Sequence, residues 1–338
     1  MYFQELKDNY NWTKLKLKQL NKAFFQDFVE DFDKITTLSK IDRAFLKETY
    51  KISSVELVKM FSDETSGTYK ALFKLEDGKL IESVLMMFTD GRNSVCVSSQ
   101  VGCPVGCIFC ASGRMGFDRN LTYKEIVDQV LYWSRWLKAK KDSLRVSNIV
   151  YMGMGEPMLN YYNTVQSVKI LTNEEEFALG DRHISVSSSG YVKQLRAYME
   201  EGLKTRLAIS LHAPNQELRE KLMPVAKIYS LTELFDFIKD WERYTNKRVS
   251  YEYTMIDNVN DTSKHAWELS KLLQGRLAHV NLIPMNPIAE RVDLQKSSRN
   301  SIFQFASILE KSKIPVTIRI TMGDKIQAAC GQLANKNK

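Results

Sequence analysis

Residues Cys96–Phe117 read CVSSQVGCPVGCIFCASGRMGF and hold four of the chain's five cysteines. Three of them, Cys103, Cys107 and Cys110, form CxxxCxxC, a spacing that turns three thiolates toward a common point from one tight loop. Clusters that only carry electrons normally give each iron a cysteine, so three ligands to a four-iron cluster leave one iron open to a substrate. Two other readings use the same residues. A structural zinc site commonly pairs two knuckles, but no second knuckle is present and the chain has only 4 histidines. Free cysteines can also pack as small hydrophobes.

The loop resembles the signature of the radical S-adenosylmethionine (SAM) enzymes, in which the amino and carboxylate groups of SAM chelate the open iron. That resemblance implies one-electron cleavage of the sulfonium to methionine and a 5'-deoxyadenosyl radical, which takes hydrogen from an unactivated carbon. Phe109, between the last two ligands, fits the same loop, where the aromatic shields the cluster.

Around this stretch the composition is that of an ordinary soluble globular protein. The chain has 338 residues, 44% of them hydrophobic, enough for a large domain with a smaller appendage. The start, MYFQELKDNY, is not a secretory signal, and no stretch approaches the length of a membrane span. Four cysteines crowded between Cys96 and Cys110 suit a reducing compartment, so a cytoplasmic protein without disulfide framework is expected. A net charge of +8 fits a polyanionic partner.

Residues from about Trp12 to Met60 read as several short helices, with apolar positions at helical spacing from Leu15 to Phe32. Lys14, Lys16, Lys18 and Lys22 give a basic flank, either an RNA-backbone contact or a solvated face. From Thr68 two alternating runs flank Glu76-Asp77-Gly78, a strong hairpin signal. Glu82 lies on the returning strand, where a carboxylate is expected to face solvent. This divides the chain into a helical unit (1–60), a hairpin linker (61–92), a β/α core (93–321) and a tail (322–338).

Thr122 to Glu125 form a capping box opening a helix. Strand candidates follow at Ser94 to Ser98, Val146 to Met152, His183 to Ser188, Arg206 to Leu211, Arg248 to Ile256, Val280 to Pro284 and Pro315 to Ile320. Helical segments such as Leu231 to Tyr244, Ser263 to Leu273 and Asn300 to Ser312 separate them. Alternating strand and helix means parallel strands with right-handed crossovers. The expected fold is therefore α/β, a partial (β/α)6-type barrel with its site at the C-terminal strand ends.

Those strand ends read as one polar pocket. The second carries Gly155 and Glu156 in Met152-Gly-Met-Gly-Glu-Pro157, with glycines for close backbone approach and a carboxylate for an ammonium group. The third ends in Ser187-Ser-Ser-Gly190, the fourth in Ser210-Leu211-His212, and the sixth in Ile283-Pro-Met-Asn286-Pro. The fifth cysteine, Cys330, stands in Ala328-Ala-Cys-Gly-Gln-Leu333.

With CVSSQVGC, these motifs occur in the order and approximate spacing of the RlmN/Cfr family, radical SAM enzymes that methylate adenine in RNA. The resemblance runs from roughly Leu72 to Leu333. It implies a 4Fe-4S cluster on Cys103, Cys107 and Cys110, and two SAM molecules per turnover. Cys330 takes a methyl group from one SAM, loses hydrogen from it to the radical made from the second, and becomes joined to the adenine. Glu82 matches the family's proton acceptor. Cys96 attacks Cys330, forming a disulfide that frees the methylated base. Gly155, Glu156, Ser187, Ser210, Leu211, His212 and Asn286 match SAM-binding positions. The implied partners are 23S rRNA and tRNA, with an electron donor such as flavodoxin, acting on a monomer away from membranes.

Pro157 and Val101 resemble the RlmN branch, which methylates C2, where Cfr enzymes methylate C8. Ala226, Asn258 and the stretch Ile320 to Met322 depart from both patterns and bear on RNA contacts. A non-catalytic iron–sulfur RNA-binding protein is the alternative of another class; it leaves Cys96 and Cys330 without a role.

Overall fold

The computed structural model describes residues 2–289, 291–319 and 322–334. Helices α1 (Gln4–Tyr10), α2 (Lys14–Asn21) and α3 (Lys40–Thr49) form the N-terminal unit. Thr13 and Ser39 cap the last two by accepting from backbone N–H groups of the first turn. Tyr2, Phe3, Phe24 and Phe25 pack edge to face or tilted beneath them. The lysine flank is largely charge-paired: Lys16 lies 2.7 Å from Asp42, Lys22 2.8 Å from Asp27 and Lys14 4.0 Å from Glu175.

The helical reading stops at Thr49. Val55–Asp63 is a strand, β1, bulged between Leu57 and Lys59 and antiparallel to β2 (Thr68–Leu75). It corrects the expectation of helix to Met60, and the expected hairpin is a three-stranded unit. Its return strand β3 (Leu80–Met87) pairs with β2 through the Asp77-Gly78 turn and antiparallel to β4 (Asn93–Cys96) on its other side.

From β4 the chain enters the cysteine loop, bounded by the short pair β5 (Gln100–Gly102) and β6 (Phe117–Asn120) with helix α4 (Ala111–Arg114) between. Helix α5 (Tyr123–Lys140) begins with the expected Thr122/Glu125 capping box. Alternation follows: β7 (Asn148–Tyr151), α6 (Tyr161–Thr172), β8 (Ile184–Ser188), α7 (Val192–Glu200), β9 (Arg206–Ser210), α8 (Gln216–Leu222) and α9 (Leu231–Thr245). It ends with β10 (Val249–Met255), α10 (Ser263–Leu273), β11 (Ala278–Pro284), α11 (Arg299–Lys311) and β12 (Val316–Ile318).

The main sheet runs β1-β2-β3-β4-β7-β8-β9-β10-β11-β12 and is parallel from β4 onward. It is open, as the count of units requires, and every parallel strand delivers its C-terminal end to the same rim. Helix α5 fixes the inner face: Trp133 is fully buried and donates to Ser83 Oγ at 3.0 Å. Asp128 on the same helix accepts from Tyr2 Oη at 2.7 Å and from Ser54 N at 2.6 Å, tying the N-terminal unit to the core. Among the described residues no helix is long and apolar enough to cross a membrane.

Candidate active site

The loop of Cys103, Cys107 and Cys110 is held at both ends. Cys103 N donates to Gly116 O at 2.9 Å, closing the β5–β6 ribbon. Gly102 has φ +75° there, and a Cβ on it would lie 1.9 Å from Gly116 O, so only glycine fits. On the far side Ala111 N donates to Gly331 O at 2.7 Å and Ser112 Oγ to Leu333 O at 2.6 Å. The loop and the segment bearing Cys330 are thus hydrogen-bonded together.

All three cysteines line one cavity of about 150 Å³ at the strand ends. Burial pushes the Cys103 thiol up to about 12 and Cys107 well above its ordinary value, and each is raised further by its cysteine neighbours. Thiols crowded and penalised as Cys103 and Cys107 are belong to a donor set that a cationic centre stabilises as thiolates. Among the described residues no three such groups share a position for a single metal ion.

The rest of the cavity carries the strand-end residues. Gly155, Glu156, Ser187, Ser210, His212 and Asn286 all line it. Leu211 does not: its side chain is fully buried in the core and its N–H donates to Glu252 O at 3.0 Å. Glu156 Oε2 accepts from Ser189 N at 2.7 Å and Oε1 from Met158 N at 3.0 Å. Burial nevertheless holds its carboxyl above the usual range, which an ammonium partner would relieve.

His212 has φ +57°, and its Nδ1 accepts from Thr254 N at 2.9 Å. That bond leaves Nε2 carrying the proton. Burial first, and the nearby Arg219 second, hold its pKa down to about 3, so the ring is a neutral donor. Its ring centroid is 4.6 Å from that of Phe109, the aromatic between the last two cysteines of the loop.

Several residues of the site were not singled out from sequence. Ser189 lines the cavity with a buried Oγ that has no hydrogen-bond partner, an orphan that a polar ligand would satisfy. Arg219 on α8 is fully buried, donating to Ser189 O at 2.6 Å, with Nε and Nη1 unpartnered. Glu252 and Thr254, from β10, complete the wall. The orphaned hydroxyl and the Glu156 carboxylate fit an amino-acid-bearing cofactor beside the cysteine loop.

A second cavity, of about 760 Å³, adjoins the first. Cys330, Cys110, Asn286 and Gly331 belong to both walls, and Cys96 lines the second. Asn286 Nδ2 donates to Cys330 O at 3.0 Å. Burial among surrounding protein atoms raises the Cys330 thiol although it opens to the cavities. Cys96 is pushed up to about 12 by burial and by Cys330. All five cysteines are free thiols, so the Cys96–Cys330 disulfide that the resemblance implies is not a standing feature of the fold.

Glu82 departs from the expectation of exposure. It is buried, with Oε1 3.0 Å from Lys70 Nζ, and Oε2 accepts from Ala334 N at 2.9 Å. Among the described residues it lies on neither cavity wall. Register explains the burial, since Lys70 on β2 stands diagonally across from Glu82. Of the positions that depart from the family pattern, Ala226 is buried and Asn258 has φ +54°, whereas Ile320 and Thr321 lie outside the described residues.

Comparison with known proteins agrees with this geometry. Residues 97–269 match the model of the Radical SAM superfamily. A relative from Lachnoclostridium phytofermentans named "Probable dual-specificity RNA methyltransferase RlmN" is 47% identical over 94% of this chain and 87% of its own. Another of that name, from Symbiobacterium thermophilum, is 45% identical over 96% and 86%. "Ribosomal RNA large subunit methyltransferase N" from Nitrosopumilus maritimus is 39% identical over 95% and 93%. The crystal structure of a radical SAM methyltransferase from Sphaerobacter thermophilus superposes with a TM-score of 0.94 at 40% identity, over 98% of this chain and 96% of that one.

Proposed function

The chain belongs to the RlmN family of radical SAM RNA methyltransferases, and from that premise we propose that it methylates C2 of an adenosine in 23S rRNA and of one in tRNA. The observation that carries this reading is the position of Cys330, on the wall shared by the cavity of the three-cysteine loop and the cavity of Cys96. A carrier thiol has to reach a methyl donor on one side and an RNA base on the other.

In this reading Cys103, Cys107 and Cys110 hold a 4Fe-4S cluster, and Glu156, Ser187, Ser210, His212 and Asn286, with Ser189, hold SAM. Family membership implies both cofactors. When bound, they supply one-electron cleavage of a sulfonium and hence a hydrogen-abstracting radical. Adenine C2 is electrophilic and its hydrogen is not acidic, so a plain polar methyl transfer would fail. Cys330 therefore takes the methyl first, from one of two SAM molecules used per turnover. Hydrogen loss from this methyl lets the resulting S-methylene carbon bond to the base, joining the RNA to Cys330.

A base, Glu82 by resemblance, then takes the ring proton. That role requires the 327–334 segment to release the carboxylate, since Ala334 N occupies Oε2. Cys96 finally attacks the sulfur of Cys330 and frees the product; cellular thiols return both residues to the free form. Pro157 and the RlmN names of the relatives support C2 over C8. A cytoplasmic monomer supplied by an electron donor such as flavodoxin completes the reading. Identification of the methylated nucleoside formed in RNA tests it.

A further inference from the structure

Helix α8 sends one side chain back under the strand ends. Arg219 is fully buried, and of its guanidinium nitrogens Nη2 alone is hydrogen-bonded, donating to Ser189 O at 2.6 Å and to Ser210 O at 3.4 Å. Burying a cation is costly unless it is well paired. This one is held against two main-chain oxygens instead of a carboxylate.

Those oxygens lie where the sheet stops supplying partners. β8 and β9 are paired in register as far as Ser188 and Ile209, and Ser189 is the next residue along. Ser210 has a further support: it stands in register with Glu252 of β10, and the N–H of Leu211 after it donates to Glu252 O at 3.0 Å. Among the described residues Ser189 has no ladder partner. Its peptide groups are fixed by two side chains, the carbonyl by Arg219 and the N–H by Glu156 Oε2, which accepts at 2.7 Å. Gly190 makes room for the guanidinium, since a Cβ there would lie 3.1 Å from Nη2. α8 is in turn tied to the cysteine loop, Ile108 N donating to Leu222 O at 3.1 Å. A continuous chain of hydrogen bonds and helix therefore runs from the cysteine loop through Arg219 and Ser189 to the Glu156 carboxylate.

We propose that Arg219 is a positioning residue for the amino-acid half of SAM: by clamping the Ser189 carbonyl it sets the N–H that orients the Glu156 carboxylate. The inference rests on the cofactor reading above, in which Glu156 receives the ammonium group. Arg219 lines neither cavity, so it acts through Ser189. Without it the Ser189 peptide is released and Glu156 Oε2 loses its donor, while Oε1 keeps only the bond from Met158 N at 3.0 Å. Other pocket residues keep their own supports, Asn286 on Cys330 O and His212 on Thr254 N. The loss falls on the amino-acid end.

The test is equilibrium dialysis of cluster-loaded protein against SAM and, separately, against 5'-methylthioadenosine, which keeps the adenosine and lacks the amino acid. Arg219→Met should bind SAM about tenfold more weakly and 5'-methylthioadenosine as the wild type does. Wild-type affinity for SAM, or an equal loss for both ligands, would overturn the proposal. If Arg219→Met fails to fold or load the cluster, Arg219→Gln decides by the same comparison, since its amide ends short of both carbonyls. Coupling supplies a second readout. Arg219→Met added to Glu156→Gln should weaken SAM binding little beyond Glu156→Gln alone, because the two residues act in one chain; additive losses would overturn the proposal. Glu156→Gln separates the premises: full SAM affinity in that variant would sink the cofactor reading itself.

Discussion

Lys70 Nζ and Glu82 Oε1 are 3.0 Å apart, and their side chains are only 6% and 4% exposed. The pair does more than satisfy itself. Lys70 also donates to Gln327 O at 3.1 Å, and Glu82 accepts from Ala334 N at 2.9 Å. Two strands of the N-terminal sheet edge therefore grip both ends of the segment that presents Cys330.

Replacing Lys70 by Met should leave a buried carboxylate unpaired and cost about 3–5 kcal/mol of stability. The double variant Lys70→Met, Glu82→Leu should recover much of that loss, because apolar residues of similar volume need no partner. Urea denaturation of the single and double variants measures the difference. Equal destabilisation of the two would mean that packing, not charge pairing, holds the segment.

His212 should make stability depend on acid. Its folded pKa, about 3, lies below the ordinary value of 6.5, so protonation favours the unfolded chain. The stability it lends is whole above 6.5 and is lost as pH falls from there toward 3. Buried Glu156 and Glu252, held above the carboxylate range, act with the opposite sign. The difference between wild type and His212→Asn isolates the histidine, since asparagine tolerates the left-handed φ. That difference should shrink as the pH of denaturant titrations is lowered from 6.5.

Gly155→Ala should damage cofactor binding without emptying the cysteine loop. A Cβ there would lie 2.6 Å from Gln100 Cβ at φ +101°, and Gln100 Oε1 is the acceptor for Glu156 N at 2.8 Å. Displacing Gln100 moves Glu156. Affinity for SAM should fall at least about tenfold, read by equilibrium dialysis, with the iron content of the reconstituted protein unchanged.

Cys330→Ala should abolish methyl transfer to RNA while reductive cleavage of SAM continues, because the alanine removes the carrier and leaves the three-cysteine loop intact. Chromatographic measurement of 5'-deoxyadenosine beside labelled methyl incorporation distinguishes the two. Undiminished incorporation would remove Cys330 from the reaction.

Local signals carried most of the fold. The Thr122 capping box, the Asp77-Gly78 turn and the alternation from β7 to β12 are each written within a few residues, and the helices and strands begin close to where those signals put them. β1 escaped because it is an edge strand with a bulge, so its exposed residues show no clean alternation. In the site, Glu156 and His212 were legible from strand ends, whereas Ser189 gains its meaning only from being left without a partner. Arg219 looked like one charge among four on α8, Glu217 to Lys221, and is buried where its guanidinium reaches the Ser189 carbonyl on a distant stretch of chain. Lys70 with Glu82, and Arg319 with Glu252, are made by strand register and chain reversal, which no spacing in the sequence encodes.

The most direct test is anaerobic. Reconstituted protein is incubated with SAM, a reductant and protein-free 23S rRNA or tRNA, and the digested nucleosides are identified by mass spectrometry. Appearance of 2-methyladenosine is the expected result and also names the RNA. Formation of 8-methyladenosine, or of 5'-deoxyadenosine with no methylated adenosine, would contradict C2 methylation of these RNAs.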